Sequence, residues 1–481
     1  MNRFTARGRI ARMTAKMSSR IAKISVAVAA GAALTAAALH PGLAAHPASS
    51  ASPAPTAAAT AGAADTPSNA RADTGETVAA LRKAVSSGRL LDSHGVRSVC
   101  PRCHSEVVTD HKGSSSPLRS ALPAGYGPAD LDKAYRLPGT STGKGIIAVV
   151  NAGVDPALEE DLAAYRRTYH LPPCTTASGC LRLLDYTGGA QPAPRDPKKD
   201  PHGAFVEEEV SLETSLDLDM ASAACPSCRL MEISVPWQDA EDDNDVSTGD
   251  FARAVNTAVA HHASAVSISY GYSADVTNTS GGLLAALRHK GVAITASTGD
   301  SGFNGGIHQS WPSDLPSVIS VGGVTLPATG PATAWWSGGS GCETRFPAAH
   351  GQPSSVTGAC GGHRAAADVS ADADAATGVA VYDTYAPSTG EPYNWVIAGG
   401  TSASAPYIAG LFVRAGHLAP VDGPRTLYRA PAAAFTDITA GNNETYHLCA
   451  DYPGLSTSVC SAGKGWDGPT GLGMPHGLAA F

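Results

Sequence analysis

Apolar and polar positions alternate along this chain in blocks that change period from one segment to the next. Gly145-Ile-Ile-Ala-Val-Val150 is a continuous apolar run, which is typical of a strand buried on both faces. Extended and helical segments then follow one another, and such an alternation predicts a parallel sheet with helices on both faces. The predicted strands are 145–150, 181–184, 229–235, 265–270, 292–298 and 318–321, and the predicted helices are 156–170, 211–223, 251–262 and 283–290.

The same pattern predicts the domain organisation. The alternation is continuous and contains no internal repeat, so residues 121–481 are expected to form one large domain. Residues 46–75 are almost all small residues and proline, which indicates a low-complexity linker. Residues 76–120 hold one short amphipathic stretch and little other core material. We therefore interpret 46–120 as a linker followed by a short N-terminal or pro segment.

The first 45 residues have a different character. Seven basic residues and no acidic ones precede an apolar stretch at 24–39, and small residues follow to Ala45. This layout is typical of a secretory signal peptide. A membrane anchor is the alternative, although an apolar run of roughly 16 residues is short for a bilayer. We expect 1–45 to be removed, leaving a secreted, extracellular protein with no membrane attachment.

Composition narrows the function classes. Of 481 residues, 43% are hydrophobic and 16% charged, which excludes a disordered chain, and the net charge of −8 argues against a nucleic-acid binder. Length alone suggests about three domains, but the continuous alternation overrules that prior. Removing 1–45 takes away seven positive charges, so the mature chain carries −15. We expect an acidic monomer.

The ten cysteines fall into five close pairs. In a secreted protein such pairs indicate local disulfides. A zinc site built from Cys100, Cys103, His104, Cys225 and Cys228 is the rival interpretation. The predicted disulfide pairs are Cys100/Cys103, Cys174/Cys180, Cys225/Cys228, Cys342/Cys360 and Cys449/Cys460.

A serine stands at a predicted strand-to-helix junction. Gly399-Gly-Thr-Ser402-Ala-Ser-Ala-Pro406 lies between the extended segment 395–397 and an apolar helical run, 407–415. A hydroxyl at a helix start is exposed, and the positive end of the helix favours negative charge forming nearby. Ser402 is therefore a candidate nucleophile. An ordinary helix cap with turn-forming glycines explains the segment equally well at this point.

Two acidic residues are spaced for one face of a helix. Glu213-Thr-Ser-Leu-Asp217 has the i, i+4 spacing that places both carboxylates one turn apart. Two acids this close repel each other, so one pKa should rise and the pair should share a proton. A solvated acidic helix face is the simpler alternative.

The octapeptide around Ser402 resembles the nucleophile motif that subtilisins and sedolisins share. The subtilisin pattern fails elsewhere in the chain. Asn151 stands where that family has its acid, and His202 lacks the Thr-His that should follow and lies in a predicted surface loop. Asp300 replaces the oxyanion asparagine.

The sedolisin pattern is complete from about residue 124 to residue 480. The chain resembles that family, the serine-carboxyl peptidases, through the Glu213/Asp217 spacing, the Gly-Asp300-Ser-Gly segment and the Gly-Thr-Ser402 segment, in that order. The resemblance implies a subtilisin-like α/β fold with a doubly wound parallel sheet. It also implies an endopeptidase, most active in acid, in which Ser402 attacks, Glu213 is the base, Asp217 orients Glu213 and a protonated Asp300 stabilises the oxyanion.

Two glycine-rich turns near the C-terminus carry aspartates. Carboxylates in such loops suit a hard cation such as calcium, although a pair of solvated turns explains the spacing as well. The sedolisin resemblance implies one structural calcium ion there, bound by two aspartates and three backbone carbonyls. The matching positions are Asp437, Ile438, Gly463, Gly465 and Asp467.

The resemblance has departures. Some sedolisins have a carboxylate at the position of Asn151 and a tryptophan at that of Tyr270, and many have a large folded propeptide, for which 46–120 is short. Protein or peptide substrates are expected. The alternatives are a catalytically inactive binding module of the same fold and a histidine-dependent subtilisin-type protease.

Overall fold

The computed structural model describes residues 76–241, 245–272, 281–303 and 310–481. The predicted signal peptide and the linker at 46–75 lie outside the described residues. The strands are β1 (Gly95–Ser98), β2 (Glu106–Thr109), β3 (Ile146–Ala152), β4 (Leu181–Asp185), β5 (Arg229–Val235), β6 (Ala265–Ile268), β7 (Ala293–Ser297), β8 (Ile319–Thr325), β9 (Thr333–Ala334), β10 (Gly341–Pro347), β11 (His363–Ala366), β12 (Val369–Asp372), β13 (Val379–Asp383), β14 (Asn394–Gly399), β15 (Phe435–Thr436) and β16 (Met474–Pro475). The helices are α1 (Val78–Ser86), α2 (Pro128–Ala134), α3 (Leu158–Thr168), α4 (Pro201–Ala224), α5 (Asp245–Ala260), α6 (Gly281–Ala286), α7 (Ser354–Thr357), α8 (Thr401–Ala415) and α9 (Arg425–Arg429).

The central sheet confirms the predicted architecture. Its strands run parallel in the order β12-β8-β7-β6-β3-β5-β4, and the short β9 adds antiparallel to β8. Alternate residues of β3 enter two different cores. Ile147 and Val149 pack in the cluster that contains α4 and α8, and Ile146, Ala148 and Val150 pack in the cluster that contains α5. The continuous apolar run of β3 is thus explained by burial on both faces.

The N-terminal segment is better packed than its sequence indicates. Helix α1 confirms the amphipathic stretch, and Leu81, Val85 and Leu90 are buried in the main core. Strands β1 and β2 form one edge of an antiparallel sheet whose order is β1-β2-β14-β13. The expectation of little core material in 76–120 is therefore wrong, because strand pairing with β14 fixes a segment whose own apolar pattern is short.

Helix α4 begins ten residues earlier than predicted. The Asp200 side chain accepts a hydrogen bond of 2.9 Å from the backbone N–H of Gly203, and Pro201 occupies the first turn, where it needs no donor. The predicted loop at 187–204 therefore ends at Asp200, and His202 belongs to the helix. Helix α6, in contrast, ends at Ala286, short of the predicted 290.

Each predicted cysteine pair forms a disulfide. Cys100 and Cys103 pack in one core cluster, while Cys225 and Cys228 pack in the other. The structure thus offers no thiolates for the alternative zinc site. A search of the described helices for a stretch that could cross a membrane finds none.

Candidate active site

The candidate site lies at the carboxyl ends of the parallel strands, the edge where open α/β sheets carry their ligands. Asn151 is the penultimate residue of β3, Ser269 directly follows β6, and Asp300 lies just beyond β7. Helices α4 and α8 pack against this sheet and against each other. Side chains from distant parts of the sequence therefore meet at one edge.

Helix α4 supplies the two predicted carboxylates. Glu213 and Asp217 are both fully buried, so the alternative of a solvated acidic face is excluded. The Ser269 hydroxyl donates a hydrogen bond of 2.7 Å to Asp217 Oδ1, and the Ser105 hydroxyl donates to Glu213 Oε2. Each acid of this buried pair thus accepts a hydrogen bond from a serine hydroxyl.

Burial perturbs both acids. It raises the pKa of Glu213 to about 7, although contacts with the Ser105 and Ser402 hydroxyls act against the shift. Burial raises the pKa of Asp217 well above its ordinary value, and the neighbouring Glu213 charge adds to this increase. The Ser269 and Asn151 side chains partly offset it. Two acids in this setting retain protons at a pH at which exposed carboxyls are ionised.

Ser402 is the second residue of α8 and is fully buried. Its hydroxyl donates a hydrogen bond of 3.2 Å to the Ser269 carbonyl oxygen, and it lies close enough to the Glu213 carboxylate to oppose the rise in the pKa of that group. Gly400, at φ +100°, turns the chain from β14 into the helix. A β-carbon at Gly400 would collide with the carbonyl oxygen of His104 and lie 2.5 Å from Asp300 Oδ2, so only glycine fits there.

Asp300 faces the same point. Its Oδ1 accepts hydrogen bonds from the Thr401 backbone N–H at 2.8 Å and the Thr401 hydroxyl at 2.9 Å. Its Oδ2 is buried and has no hydrogen-bond partner among the described residues. Burial raises the pKa of Asp300 well above its ordinary value, with a further contribution from Glu106. A protonated Oδ2 is thus a free donor directed at the space beside Gly400.

The chain itself passes through this site, which the sequence did not indicate. The Ser402 backbone N–H donates a hydrogen bond of 2.8 Å to the carbonyl oxygen of His104. A cavity of about 590 Å³ adjoins it, lined by residues that include Arg102, Gly271, Asp300, Ser310 and Tyr446.

Ser269 and Thr401 are further functional candidates that sequence reasoning missed. Ser269 contacts Asp217, Ser402 and the His104 backbone, and Thr401 fixes Asp300. The signal for Ser269 was present in the sequence, because Ser269-Tyr270-Gly271 directly follows an apolar parallel strand. Tyr270, at the position where some sedolisins have a tryptophan, is buried beside the acids. Its hydroxyl accepts a hydrogen bond of 3.3 Å from the Ala152 backbone N–H.

His202 does not take part in this cluster. It is exposed in the first turn of α4, and its Nε2 lies 3.1 Å from the Glu241 carboxylate. The other histidine near the site, His104, directs its Nδ1 to the Ser297 hydroxyl at 2.7 Å. Neither imidazole is placed to activate Ser402.

The predicted calcium ligands also come together. Asp437 Oδ2 accepts a hydrogen bond of 3.0 Å from the Gly465 N–H, and Asp467 Oδ2 accepts one of 2.9 Å from the Gly463 N–H. Ile438 is buried directly after Asp437. The two C-terminal turns are thus adjacent.

The donor set fits a cation. Burial and the nearby Asp437 raise the pKa of Asp467 to about 7, and the groups that oppose this shift most strongly are neutral donors on Gly463 and Thr470. The buried carboxylate therefore lacks a compensating positive charge from these neighbours. Carboxylate and carbonyl oxygens are the ligands that calcium prefers.

The fold and the cluster define a subtilisin-like α/β protein with a buried serine and three buried acids at the sheet edge. A profile of the subtilase family matches residues 190–434, about half of the chain. The chain belongs to that family. It is also similar to two curated serine-carboxyl peptidases, as follows.

Kumamolisin from Bacillus sp. (strain MN-32) is 31% identical over 399 residues, which cover 75% of this chain and 64% of kumamolisin. Sedolisin from Pseudomonas sp. (strain 101) is 25% identical over 447 residues, 85% of this chain and 67% of sedolisin. The chain thus spans about two thirds of the length of these relatives.

A solved structure of Pseudomonas sedolisin, a serine-carboxyl proteinase complexed with two molecules of pseudo-iodotyrostatin, has the same fold. The TM-score is 0.55 at 22% identity, and the match covers 74% of this chain and 96% of that one. The likeness confirms the predicted subtilisin-like fold.

Proposed function

We propose that this protein is a secreted serine-carboxyl endopeptidase that hydrolyses peptide bonds in protein or peptide substrates. One observation carries the proposal. The Ser402 hydroxyl lies near Glu213, which is buried one helical turn from Asp217, and the unpartnered Asp300 Oδ2 borders the same space beside Gly400 as the carbonyl oxygen that the Ser402 N–H binds. This is the set of groups that acyl transfer needs.

Each group has a defined role. Ser402 Oγ attacks the substrate carbonyl carbon while Glu213 takes its proton, and Asp217 orients Glu213 and shares the proton. The Ser402 N–H and protonated Asp300 donate hydrogen bonds to the oxygen as it becomes negative. Glu213 returns the proton to the leaving amine, and water then hydrolyses the acyl-enzyme by the same steps in reverse order.

The activity should be greatest in acid. Asp300 can donate only while protonated, and its raised pKa extends the protonated range toward neutral pH. Above that range Asp300 would carry a negative charge beside the developing oxyanion. The rate should therefore fall as the medium becomes alkaline.

Further assignments follow from the same interpretation. Residues 1–45 are proposed as the signal peptide, 46–120 as the linker and N-terminal segment, and 121–481 as the peptidase domain, acting as a monomer. Five disulfides support an extracellular location. Asp437, Asp467 and the carbonyls of Ile438, Gly463 and Gly465 are proposed to hold one calcium ion, whose charge would stabilise the C-terminal turns.

Replacing the nucleophile tests the proposal. Cleavage of an unfolded protein is measured across pH with the wild type and Ser402→Ala. The variant should lose at least ~10³-fold in kcat while its melting temperature stays near that of the wild type. Residual activity within tenfold of the wild type would contradict the assignment, and an alkaline optimum would favour the histidine-dependent alternative.

A further inference from the structure

One wall of the active-site cavity comes from the C-terminal part of the chain. The cavity has a volume of about 590 Å³, and the residues that line it include Asp300, Gly302 and Tyr446. Asp300 is the proposed donor to the oxyanion, so a peptide whose carbonyl oxygen meets Asp300 lies in this cavity. Tyr446 therefore borders the space that the rest of such a peptide would occupy.

The loop at 441–460 contributes this wall and contacts the turn after β7, which carries the oxyanion aspartate. The Phe303 N–H donates a hydrogen bond of 2.7 Å to the Asn443 carbonyl oxygen. A β-carbon at Gly302 would lie 2.5 Å from that oxygen and 2.8 Å from Thr445 Oγ1, so only glycine fits where the two segments meet. The loop is therefore packed directly against the oxyanion turn.

These contacts limit the distance between the Tyr446 ring and the bond that is cleaved. Gly302 is two residues beyond Asp300, and Thr445, which lies against Gly302, directly precedes Tyr446. An extended peptide advances about 3.3 Å per residue. A substrate side chain within about four positions of the cleaved bond can therefore reach the ring.

The base of the loop is fixed by buried contacts. Asn443 is fully buried, and its side-chain amide donates a hydrogen bond of 2.6 Å to the Gly338 carbonyl oxygen. The Cys449–Cys460 disulfide closes the loop, and both cysteines pack in one core cluster with Phe303. A side chain presented from such a base costs little backbone ordering when a ligand binds, which favours affinity.

The tip of the loop exposes apolar surface to solvent. Among the described residues, five large apolar side chains are exposed, and three of them belong to this region: Trp336, Tyr446 and Leu448. The Thr445 hydroxyl donates a hydrogen bond to the Trp336 carbonyl oxygen, which places Trp336 beside the loop. Tyr446 is 71% exposed although it lines the cavity. Apolar side chains grouped at the rim of a cleft indicate a binding surface.

The chemistry of this wall favours an apolar group of the ligand. Tyr446 offers a flat ring, and the cavity residues closest to the oxyanion turn, Ser301, Gly302 and Ser340, are small and uncharged. A large apolar or aromatic side chain would cover the ring and remove apolar area of both partners from water. A charged side chain would find no opposite charge on these four residues.

We propose that Tyr446 forms a subsite that binds a large apolar or aromatic side chain of the substrate, within about four residues of the cleaved bond. The proposal rests on the proposed function and names the class of peptide that this active site prefers. The 441–460 loop presents the ring, and the substrate side chain packs on the face that solvent covers in the free protein.

The test uses peptides of one sequence in which phenylalanine replaces alanine at one position at a time, on both sides of the cleaved bond. The full chain is assayed in acid, kcat/KM is measured for each peptide, and mass spectrometry of the products identifies the bond that is cut. In the wild type, phenylalanine at the position that Tyr446 serves should raise kcat/KM at least about fivefold over alanine.

Tyr446→Ala should lower this phenylalanine-to-alanine ratio to below about twofold at that one position, because the ring that covers the side chain is gone. The ratios at the other positions should stay as in the wild type. If Tyr446→Ala kept every ratio, or lowered all of them equally, the subsite would be refuted. Because Tyr446 is exposed, the melting temperature of the variant should stay near that of the wild type.

Two control variants separate the ring from other effects. Tyr446→Phe keeps the ring and should keep the wild-type ratio. Leu122→Ala removes another exposed apolar side chain, at a residue outside the lining of the cavity, and should leave every ratio unchanged. Loss of the ratio in Leu122→Ala to the same extent as in Tyr446→Ala would overturn the proposal.

Ser402→Ala separates this proposal from the proposed function. If the wild type cleaves the peptides, Ser402→Ala does not, and the ratios are indifferent to Tyr446, then the subsite is wrong and the peptidase assignment stands. If the wild type cleaves none of the peptides and no unfolded protein at any pH, both proposals are wrong.

Discussion

The active-site acids and the C-terminal aspartates are two clusters of carboxyl groups for which we propose different roles. Glu213, Asp217 and Asp300 meet hydroxyls and backbone donors, and burial raises the pKa of each of them. Asp437 and Asp467 converge through glycine-rich turns that leave a buried charge for a cation to balance. In the proposed roles Asp300 must keep its proton, whereas Asp437 and Asp467 must lose theirs to bind calcium, so acid should favour the chemistry of one region and weaken ion binding in the other.

The largest expected effect is on the carboxylate pair. Glu213→Gln and Asp217→Asn should each lower kcat by orders of magnitude, and the double variant should be scarcely worse, because the two groups share one proton and act as a unit. The measurement is kcat for each variant on an unfolded protein.

His202→Ala is the matched control for the pair, since His202 is an exposed titratable residue on the same helix. It should retain wild-type activity. Loss of activity in His202→Ala, with Glu213→Gln unaffected, would instead support a histidine base.

A smaller effect is expected at Asp300. Asp300→Ala removes the donor and should cost about 10²–10³ in kcat. Asp300→Asn keeps both an acceptor for Thr401 and a donor for the oxyanion, so it should lose less and should retain activity to higher pH. If kcat of Asp300→Asn fell at the same alkaline pH as that of the wild type, the fall would be due to the Glu213/Asp217 pair and not to Asp300.

The features that could be predicted from the sequence are those that a short local pattern encodes. An apolar run identified β3, and the i, i+4 spacing identified the face of α4 that carries Glu213 and Asp217. The position of residues 102–104 beside Ser402 depends on pairing with 269–271 and on the Gly400 turn, which are far away in the chain. A short irregular segment has no periodicity to reveal such a partner.

Helix α4 shows a second limit. Its start depends on a single cap at Asp200 within a stretch rich in proline and glycine, where composition favours a loop. For this reason His202 was predicted to lie in a loop, whereas it lies in the first turn of α4. The burial of Glu213 and Asp217 was also beyond sequence reasoning, because it depends on the contact of α4 with α8.

Stability should reveal the proton held by Glu213. Its pKa rises from 4.5 to about 7 on folding, so the folded state binds more protons between these values. The free energy of unfolding should therefore fall as pH rises through this window, by roughly 3 kcal/mol at most. The measurement compares Ser402→Ala with Ser402→Ala/Glu213→Gln, so that no cleavage intervenes.

The free energy of unfolding of Ser402→Ala minus that of the double variant should fall as pH rises through this window. His104, whose pKa burial lowers to about 4, contributes the opposite slope, because its stabilising neutral form is lost as pH falls. That slope is common to both proteins and cancels. A difference independent of pH would mean that the pKa of Glu213 is the same in the folded and unfolded states.

The smallest effect concerns the second region. Calcium that binds only the folded state should stabilise it by about 2.7 kcal/mol at a hundredfold excess over Kd, so the melting temperature should rise with calcium and fall with chelator. Asp467→Ala should abolish this response, whereas Asp451→Ala, at an exposed aspartate between the two turns, should keep it. Because the ligands must be deprotonated, the calcium increment should be larger at pH 7 than at pH 4, opposite to the trend at Glu213. A melting temperature indifferent to calcium and chelator at both pH values would show that Asp437 and Asp467 only shape the turns, and the contrast between the two regions would then be one of burial alone.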